Sequence, residues 1–239
     1  MTSDERARQV LRDGDADVLG RMPWSSNATF LVNLTLDDDE LLAIYKPQRG
    51  ERPLWDFPRG TLCNREVAAY EVSAALSWDL VPDTVLRDGP AGIGMMQRFV
   101  EHDPEEHYFT LLAEHEDVFR KMAAYDIVIN NTDRKGGHCL RALADGWIFG
   151  IDHGVSFHTQ WKLRTVIWDF AGEDVSPEVR RGLECVLDDV CSGSLGQRLR
   201  PLLDRFELDA LRARTEHLLA IGSYPEADRD YHSYPWPTI

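Results

Sequence analysis

The sequence lacks the features that would place it in a membrane or in an oxidising compartment. No apolar run approaches the ~18–20 residues that a membrane-spanning helix requires. The first residues, MTSDERARQVLRDGD, are charged and lack the apolar stretch of a signal peptide. The cysteines, at 63, 139, 185 and 191, show no CxxC spacing, so we expect no disulfide or zinc framework. We therefore expect a protein of the reduced cytoplasm without stable membrane association.

Positive charge is also scarce. The chain has 26 Lys and Arg against 41 Asp and Glu, which gives a net charge of −15. Such a field repels nucleic acid and anionic membranes, so we expect no nucleic-acid partner. A local basic patch could override it in one region, which contains Lys46, Arg49, Arg52, Arg59 and Arg65.

The chain is nevertheless equipped to fold. Apolar residues make up 43% of its 239 residues, which excludes global disorder and suffices for one large domain or two lobes sharing a cleft. Alternating apolar residues predict strands near 17–22, 28–36 and 41–46, and on both sides of the Gly-Pro turn at 89–90. A short hairpin is predicted in HCLRAL and WIFGID. Helical spacing is found at about residues 4–14, 62–77, 105–130, 176–191, 194–205 and 207–221.

These elements form a strand-rich half followed by a helical half. We predict an α+β fold with an N-lobe over residues 1–97 and a C-lobe over residues 98–239, which act as one unit around a cleft.

A lysine and a glutamate in the first half form a recognisable pair. Lys46 ends the strand LLAIYKP, and Glu66 lies about twenty residues later in the helix NREVAAYE. Taken alone, each residue is most simply a solvated surface group. A strand lysine followed by a helical glutamate is, however, the pair that fixes a lysine against ATP phosphates in kinase lobes.

Two carboxylates flank the predicted hairpin. Asp133 lies in NNTDRKGGHCL and Asp152 in FGIDHGVSF, and each could simply start a turn. Phosphoryl transfer accounts for both together with His138, five positions after Asp133. One Asp orients an acceptor hydroxyl, the residue five positions on binds metal, and the Asp before x-Gly holds the metal on the phosphates.

Here the sequence resembles a known family. YDIVINNTDRKGGHCL and GIDHGVSFH are similar to the catalytic and metal loops of the phosphatidylinositol 3- and 4-kinase superfamily, particularly the type II 4-kinases. REVAAYEVSAALSWDLVPDT resembles the helix that follows the ATP lysine in that family. The resemblance covers about residues 20–160 and is greatest to phosphatidylinositol-kinase-like proteins of actinobacteria. It implies a two-lobed, protein-kinase-like fold with an antiparallel sheet in the N-lobe and a mainly helical C-lobe.

The resemblance also implies roles for individual residues. Lys46 would contact the α- and β-phosphates of ATP, and Glu66 would hold Lys46. Asp133 would be the catalytic aspartate and Asp152 the main ligand of Mg²⁺ or Mn²⁺. Arg134 would either pair with phosphate or steady the loop, and we expect Asp126 to bond to the Asp133 turn.

Two further segments would surround the nucleotide. The hinge facing adenine, mostly through backbone groups, would be Gln97, Arg98, Phe99 and Val100. The loop over the phosphates would be residues 24–28, WSSNA, with Ser25, Ser26 and Asn27. This loop is not Gly-rich, so side-chain hydroxyls and backbone amides would supply the donors.

His138 departs from the family pattern, which has Asn there as the second metal ligand. Neutral imidazole ligates Mn²⁺ more readily than hard Mg²⁺, so we expect a preference for Mn²⁺. We also expect metal binding to weaken as pH falls through ~6.5, where His ordinarily titrates. Zinc is disfavoured, because nothing near His138 and Cys139 completes a tetrahedral set.

Three functions stay open. The first is an ATP-dependent phosphotransferase whose acceptor hydroxyl belongs to a lipid, a small molecule or a protein. The second is a catalytically weak or inactive ATP-binding module that regulates a partner protein. The third is an AMP transferase on the same fold.

Overall fold

The computed structural model describes residues 3–23, 27–228 and 232–239. The strands are β1 Asp15–Arg21, β2 Phe30–Leu36, β3 Asp39–Pro47, β4 Thr84–Gly89, β5 Gly92–Arg98, β6 Cys139–Arg141 and β7 Ile148–Gly150. The helices are α1 Ser3–Asp13, α2 Leu62–Ala75, α3 Tyr108–Leu111, α4 Glu116–Ile129, α5 Pro177–Ser192, α6 Ser194–Leu199 and α7 Arg205–Ile221. The predicted α+β class is confirmed.

The first five strands form one antiparallel sheet in the order β1-β2-β3-β5-β4, and β6 pairs with β7 in a separate hairpin. Two predicted helices differ in length. The helical stretch at 105–130 is interrupted by a 3₁₀ turn, Leu112–Glu114. The helix predicted over 194–205 ends at Leu199, because Pro201 lacks the N–H that would continue it.

The pleat of β3 positions Lys46. Ala43 and Tyr45 face a small core beneath α1 and are fully buried. Because successive strand residues point to opposite faces, Ile44 and Lys46 point the other way and line a cleft. The alternation that buries Tyr45 therefore also presents the Lys46 ammonium to the interior of the protein.

Helix α2 packs against both the sheet, through Cys63 and Val67 beside Met95 of β5, and the helical half. Ala68, Ala69 and Val72 are fully buried in the main core, which they share with α4, α5, α6 and α7. The helix that carries Glu66 is therefore packed against the second half of the chain, although in sequence it lies between β3 and β4 of the sheet.

The end of α4 starts the segment that contains Asp133. Asn130 adopts a left-handed conformation with φ of 54°, which Asn tolerates better than most residues. Its side-chain Nδ2 donates to the carbonyls of His158 and Gln160 at 2.9 and 2.7 Å. The reversal directs residues 131–138 back towards the sheet.

The boundary between lobes at residues 97 and 98 stays a prediction. Within the described residues, no helix is both long and apolar enough to cross a membrane.

Candidate active site

The centre of the site is an ammonium held between two carboxylates. Lys46 Nζ lies 2.5 Å from Glu66 Oε1 and 2.7 Å from Asp152 Oδ1. Burial disfavours the charged lysine, but Asp152 and Glu66 outweigh it and raise the pKa of Lys46 above its ordinary value. The structure thus brings together three of the residues that the sequence singled out, from β3, α2 and the segment after β7.

Glu66 is held on both of its oxygens. While Oε1 accepts from Lys46, Oε2 accepts from the backbone N–H of His153 at 2.8 Å. Glu66 is 1% exposed, so neither contact competes with bulk water. The Glu66 carboxylate is therefore fixed on one oxygen by Lys46 of β3 and on the other by the loop that carries Asp152.

Asp152 occupies an uncommon backbone conformation, with φ of 61°. Such left-handed residues cluster at functional sites, where the surroundings impose them. Its side chain is about half-exposed, at 49%, and faces the cleft. Lys46 lowers the pKa of Asp152 far below its ordinary value, so the carboxylate is ionised at neutral pH.

Arg134 is the residue whose expected catalytic role the structure corrects. It is fully buried, and its Nη2 and Nε donate to Asp126 Oδ1 and Oδ2 at 2.9 and 3.0 Å. Its Nη1 donates to the carbonyl of Ile151 at 3.0 Å. Arg134 is therefore too deeply buried to reach a nucleotide phosphate. Its contacts support the other expected role, which is to steady the loop.

The expected bond from Asp126 to the Asp133 turn is confirmed. Asp126 Oδ1 accepts from Asn131 Nδ2 at 3.0 Å, and Asn131 Oδ1 in turn accepts the backbone N–H of Asp133 at 3.0 Å. The Asp126–Arg134 pair thus connects the Asp133 turn to the backbone immediately before Asp152.

Sequence reasoning missed His153. This fully buried ring places Nε2 2.7 Å from Arg134 Nη2, so Nε2 accepts and the ring proton lies on Nδ1. Burial lowers the pKa of His153 well below its ordinary value and keeps the ring neutral. The available signal is its position between Asp152 and Gly154, at the variable place of the Asp-x-Gly pattern.

Asp133 lies in the cleft with a proton affinity suited to a base. Its side chain is 34% exposed, and Lys135 Nζ lies 3.4 Å from Oδ2. Burial raises its pKa to about 6, against the opposing effect of Lys135. A carboxylate that is ionised at neutral pH but titrates near 6 can accept a proton from a hydroxyl.

His138 faces Asp152, with Nε2 3.7 Å from Oδ2. Burial lowers the pKa of His138 to about 4, below the ~6.5 of an ordinary histidine. The Lys135 N–H points at Nδ1 from 3.4 Å, which places the ring proton on Nε2. To ligate a metal through Nε2, the ring would have to move that proton to Nδ1.

The expected nucleotide-binding residues surround a cleft of 360 Å³. Its lining includes all four hinge candidates, Gln97, Arg98, Phe99 and Val100. The Gln97 side chain is buried and donates to Thr84 Oγ1 at 2.9 Å. The N–H groups of Arg98 and Phe99 donate to the carbonyls of Asp83 and Leu42. These two N–H groups and the Gln97 side chain are therefore engaged within the protein, and the Val100 carbonyl lies 2.8 Å from His102 Nδ1.

The phosphate loop is only partly described. Asn27 lines the cleft, and its Oδ1 accepts the Arg52 N–H at 2.8 Å. Ser25 and Ser26 lie outside the described residues. In the described part of the chain, no group of three or more His, Cys, Asp or Glu residues is arranged to hold a metal. A cation bound together with phosphates needs fewer protein ligands, and the facing Asp152 and His138 fit that case.

The tail of the chain borders the Asp133 loop, which sequence reasoning also missed. The Gly136 N–H donates to the carbonyl of Thr238 at 2.7 Å. A Cβ at Gly136 would lie 3.0 Å from the Phe109 ring and 3.3 Å from that same carbonyl. The close approach of the tail therefore explains this glycine.

The sequence is similar over its whole given length to a mycobacterial protein. It is 39% identical to Protein Rv2133c of Mycobacterium tuberculosis (strain ATCC 25618 / H37Rv) over 274 aligned positions. The alignment covers 100% of this chain and 98% of that protein. No protein-family model matches the sequence.

Solved structures show what kind of fold this is. The chain superposes on the crystal structure of the Golgi casein kinase with a TM-score of 0.55 and 12% identity, over 91% of this chain and 73% of that one. A Helicobacter pylori proinflammatory kinase, CtkA, gives a TM-score of 0.47 and 14% identity, over 87% of this chain and 98% of that one. The first likeness confirms the two-lobed, kinase-like fold; it does not single out the phosphatidylinositol kinases.

Removing the charge of Asp126 should destabilise the protein. In Asp126→Asn the buried Arg134 guanidinium loses its counter-charge, which typically costs ~3–5 kcal/mol of unfolding free energy. Glu116→Gln on the same helix is the control, since its pair with Arg120 is exposed and should contribute below ~1 kcal/mol. Urea unfolding measures both; equal effects in the two variants would contradict the role given to Arg134.

Proposed function

We propose that this chain, which belongs to the family of Protein Rv2133c, is an ATP-dependent phosphotransferase. The observation that carries the proposal is the Lys46 ammonium, held 2.5 Å from Glu66 and 2.7 Å from Asp152 in a cleft that also contains Asp133. Phosphoryl transfer depends mainly on positioning and on electrostatic stabilisation of the phosphates, which such a charged group supplies.

The residues divide the work between the two ends of the reaction. Lys46, kept protonated by its two carboxylates, binds the α- and β-phosphates while Glu66 prevents the side chain from swinging away. Asp133 orients the acceptor hydroxyl and accepts its proton as the oxygen attacks the γ-phosphorus, and the bond from that phosphorus to the β–γ bridging oxygen breaks to release ADP. The turn Asp126–Asn131–Asp133 holds the backbone of Asp133, because Asn131 accepts the Asp133 N–H and itself donates to Asp126.

A divalent cation completes the site in this proposal. When bound, Mg²⁺ or Mn²⁺ would neutralise charge on the phosphates, and Asp152 and His138 are the residues that would hold it. His138 Nε2 lies 3.7 Å from Asp152 Oδ2, so the two groups face each other without a direct hydrogen bond. We retain Mn²⁺ as the preferred ion, because ligation by imidazole suits it better than Mg²⁺.

The class of acceptor is the least determined part of the proposal. The resemblance to phosphatidylinositol kinases favours a lipid, whereas the net charge of −15 favours a soluble small molecule or a protein. The loop between β3 and α2 supports the lipid. The loop exposes Arg49, Arg52 and Arg59 and also Trp55, which is 91% exposed, and these residue types favour an anionic membrane interface.

Transfer of label from ATP tests the reaction class. The protein is incubated with γ-labelled or α-labelled ATP, Mg²⁺ or Mn²⁺, and phosphoinositide vesicles, a metabolite extract or a protein extract as acceptor. We expect γ-label on the acceptor and no α-label. Label from the α-position would show AMP transfer, and ATP binding without any transfer would show a regulatory module.

The two carboxylates should fail in different ways. Asp152→Ala should abolish metal-dependent ATP binding, because Asp152 faces the phosphates through the metal. Asp133→Ala should retain ATP binding and lose transfer, since it faces the acceptor. Asp145→Asn, in the exposed turn of the β6–β7 hairpin, is the matched control and should match the wild type. Loss of ATP affinity in Asp133→Ala alone would reverse the assignment.

Activity should decrease as the pH is lowered, because Asp133 takes up a proton. Its pKa is raised to about 6, so the reactive carboxylate is present above that value and is lost below it. The rate of transfer at saturating ATP should decline by about tenfold per pH unit below about 6. The ring of His138, with a pKa of about 4, stays neutral across this window. A rate that is constant from pH 7 to pH 5 would remove Asp133 as the base.

A further inference from the structure

A buried ion pair connects the Glu66 helix to the last helix of the fold. Arg65, 1% exposed, lies one position before Glu66 on α2, and its Nη2 donates to Glu207 Oε1. Glu207 is 7% exposed and lies in the first turn of α7, 142 residues further along the chain. The pair therefore joins the two helices directly.

Each partner is also held by other contacts. Arg65 Nη1 donates to the carbonyl of Ser156 at 2.7 Å, and its guanidinium lies 4.9 Å from the centre of the Phe57 ring. Glu207 Oε2 accepts the backbone N–H of Asp204 at 2.9 Å in a capping box that starts α7. The guanidinium thus binds α7 and the segment after Asp152 at the same time.

The helix geometry links this pair to Lys46. Consecutive residues of an α-helix project about 100° apart, so Arg65 and Glu66 point to different partners from the same turn. Arg65 reaches α7 and Ser156, while Glu66 reaches Lys46 and the His153 N–H. A displacement of α2 that breaks one set of contacts must disturb the other.

We propose that Arg65 and Glu207 are positioning residues that hold α2 in the position where Glu66 engages Lys46. The inference rests on the proposed function, since it is ATP binding by Lys46 that this position serves. Neither residue lines the ATP cleft, so both act through Glu66. The C-terminal helices would then have a defined task, which is to keep the nucleotide site assembled before ATP arrives.

A second ion pair on the same helix serves as a control. Glu71 of α2 accepts from Arg198 of α6 at 2.5 Å, but these side chains are 20% and 40% exposed. Exposed pairs contribute little, because solvent screens them. Glu71→Gln therefore removes a contact between α2 and the C-terminal helices without opening a buried one.

Glu207→Gln is the informative change. Gln keeps the length of the side chain and its cap on the Asp204 N–H but removes the charge that Arg65 faces. We expect hydrogen exchange of the amides at 65–69 in α2 to accelerate by at least about tenfold in Glu207→Gln and by less than about twofold in Glu71→Gln. Unchanged exchange in folded Glu207→Gln would overturn the proposal.

The kinetic readout separates positioning from folding. If only a fraction of the molecules has α2 in the binding position, the apparent affinity for ATP is reduced by that fraction. Saturating ATP then draws all molecules into the binding position. KM for ATP should therefore rise by about tenfold in Glu207→Gln with kcat nearly unchanged. A loss of kcat with unchanged KM would mean that Glu207 only supports folding, and the proposal would be wrong.

Two further comparisons keep the test decisive. If Glu207→Gln does not fold, hydrogen exchange in the wild type decides. We expect the amides at 65–69 in α2 to exchange no faster than those in the first turns of α7. Much faster exchange in α2 would overturn the proposal. If the wild type binds no ATP, the proposed function fails. The exchange comparison of Glu207→Gln with Glu71→Gln then still decides whether the pair holds α2.

Discussion

A single ammonium, largely withdrawn from solvent, organises this protein. Lys46 is drawn out of bulk water and neutralised by Glu66 and Asp152, which come from an α-helix and from a loop after the β6–β7 hairpin. An ammonium without a counter-charge in that position would strongly destabilise the folded protein. The strand, the helix and the loop that carry these three residues must therefore lie next to one another. The sheet supplies the lysine, whereas α2 and the loop after β7 supply its two partners.

Further buried hydrogen bonds hold Glu66 and the loop that carries Asp152 in place. Arg134 connects Asp126 on α4 to the backbone before Asp152, and His153 touches both Arg134 and Glu66. Polar groups in such a network are costly to separate, since each would be left buried without a partner. The layout favours a site that is assembled in advance of its substrate, in a fold that the Golgi casein kinase shares at 12% identity.

Much of this could be predicted from the sequence, for identifiable reasons. Strand alternation placed Lys46, and the spacing of Asp133 from Asp152 across a hairpin predicted that both would face one cleft, as they do. Side-chain partners could not be predicted in the same way. Arg134 is charged and adjacent to Asp133, which favours a phosphate role, yet burial and Asp126 assign it to structure. The pair of Arg65 with a residue 142 positions away leaves no local pattern.

The central claim is that Lys46, between its two carboxylates, is the group that binds ATP phosphates. Calorimetric titration of Lys46→Met with ATP and Mn²⁺ tests it most directly, with folding checked by circular dichroism. The matched control is Lys121→Met, whose ammonium pairs with Glu178 away from the cleft. Loss of a charge-assisted contact should weaken ATP binding by at least about tenfold in Lys46→Met and leave Lys121→Met unchanged. Wild-type affinity in folded Lys46→Met would contradict the account.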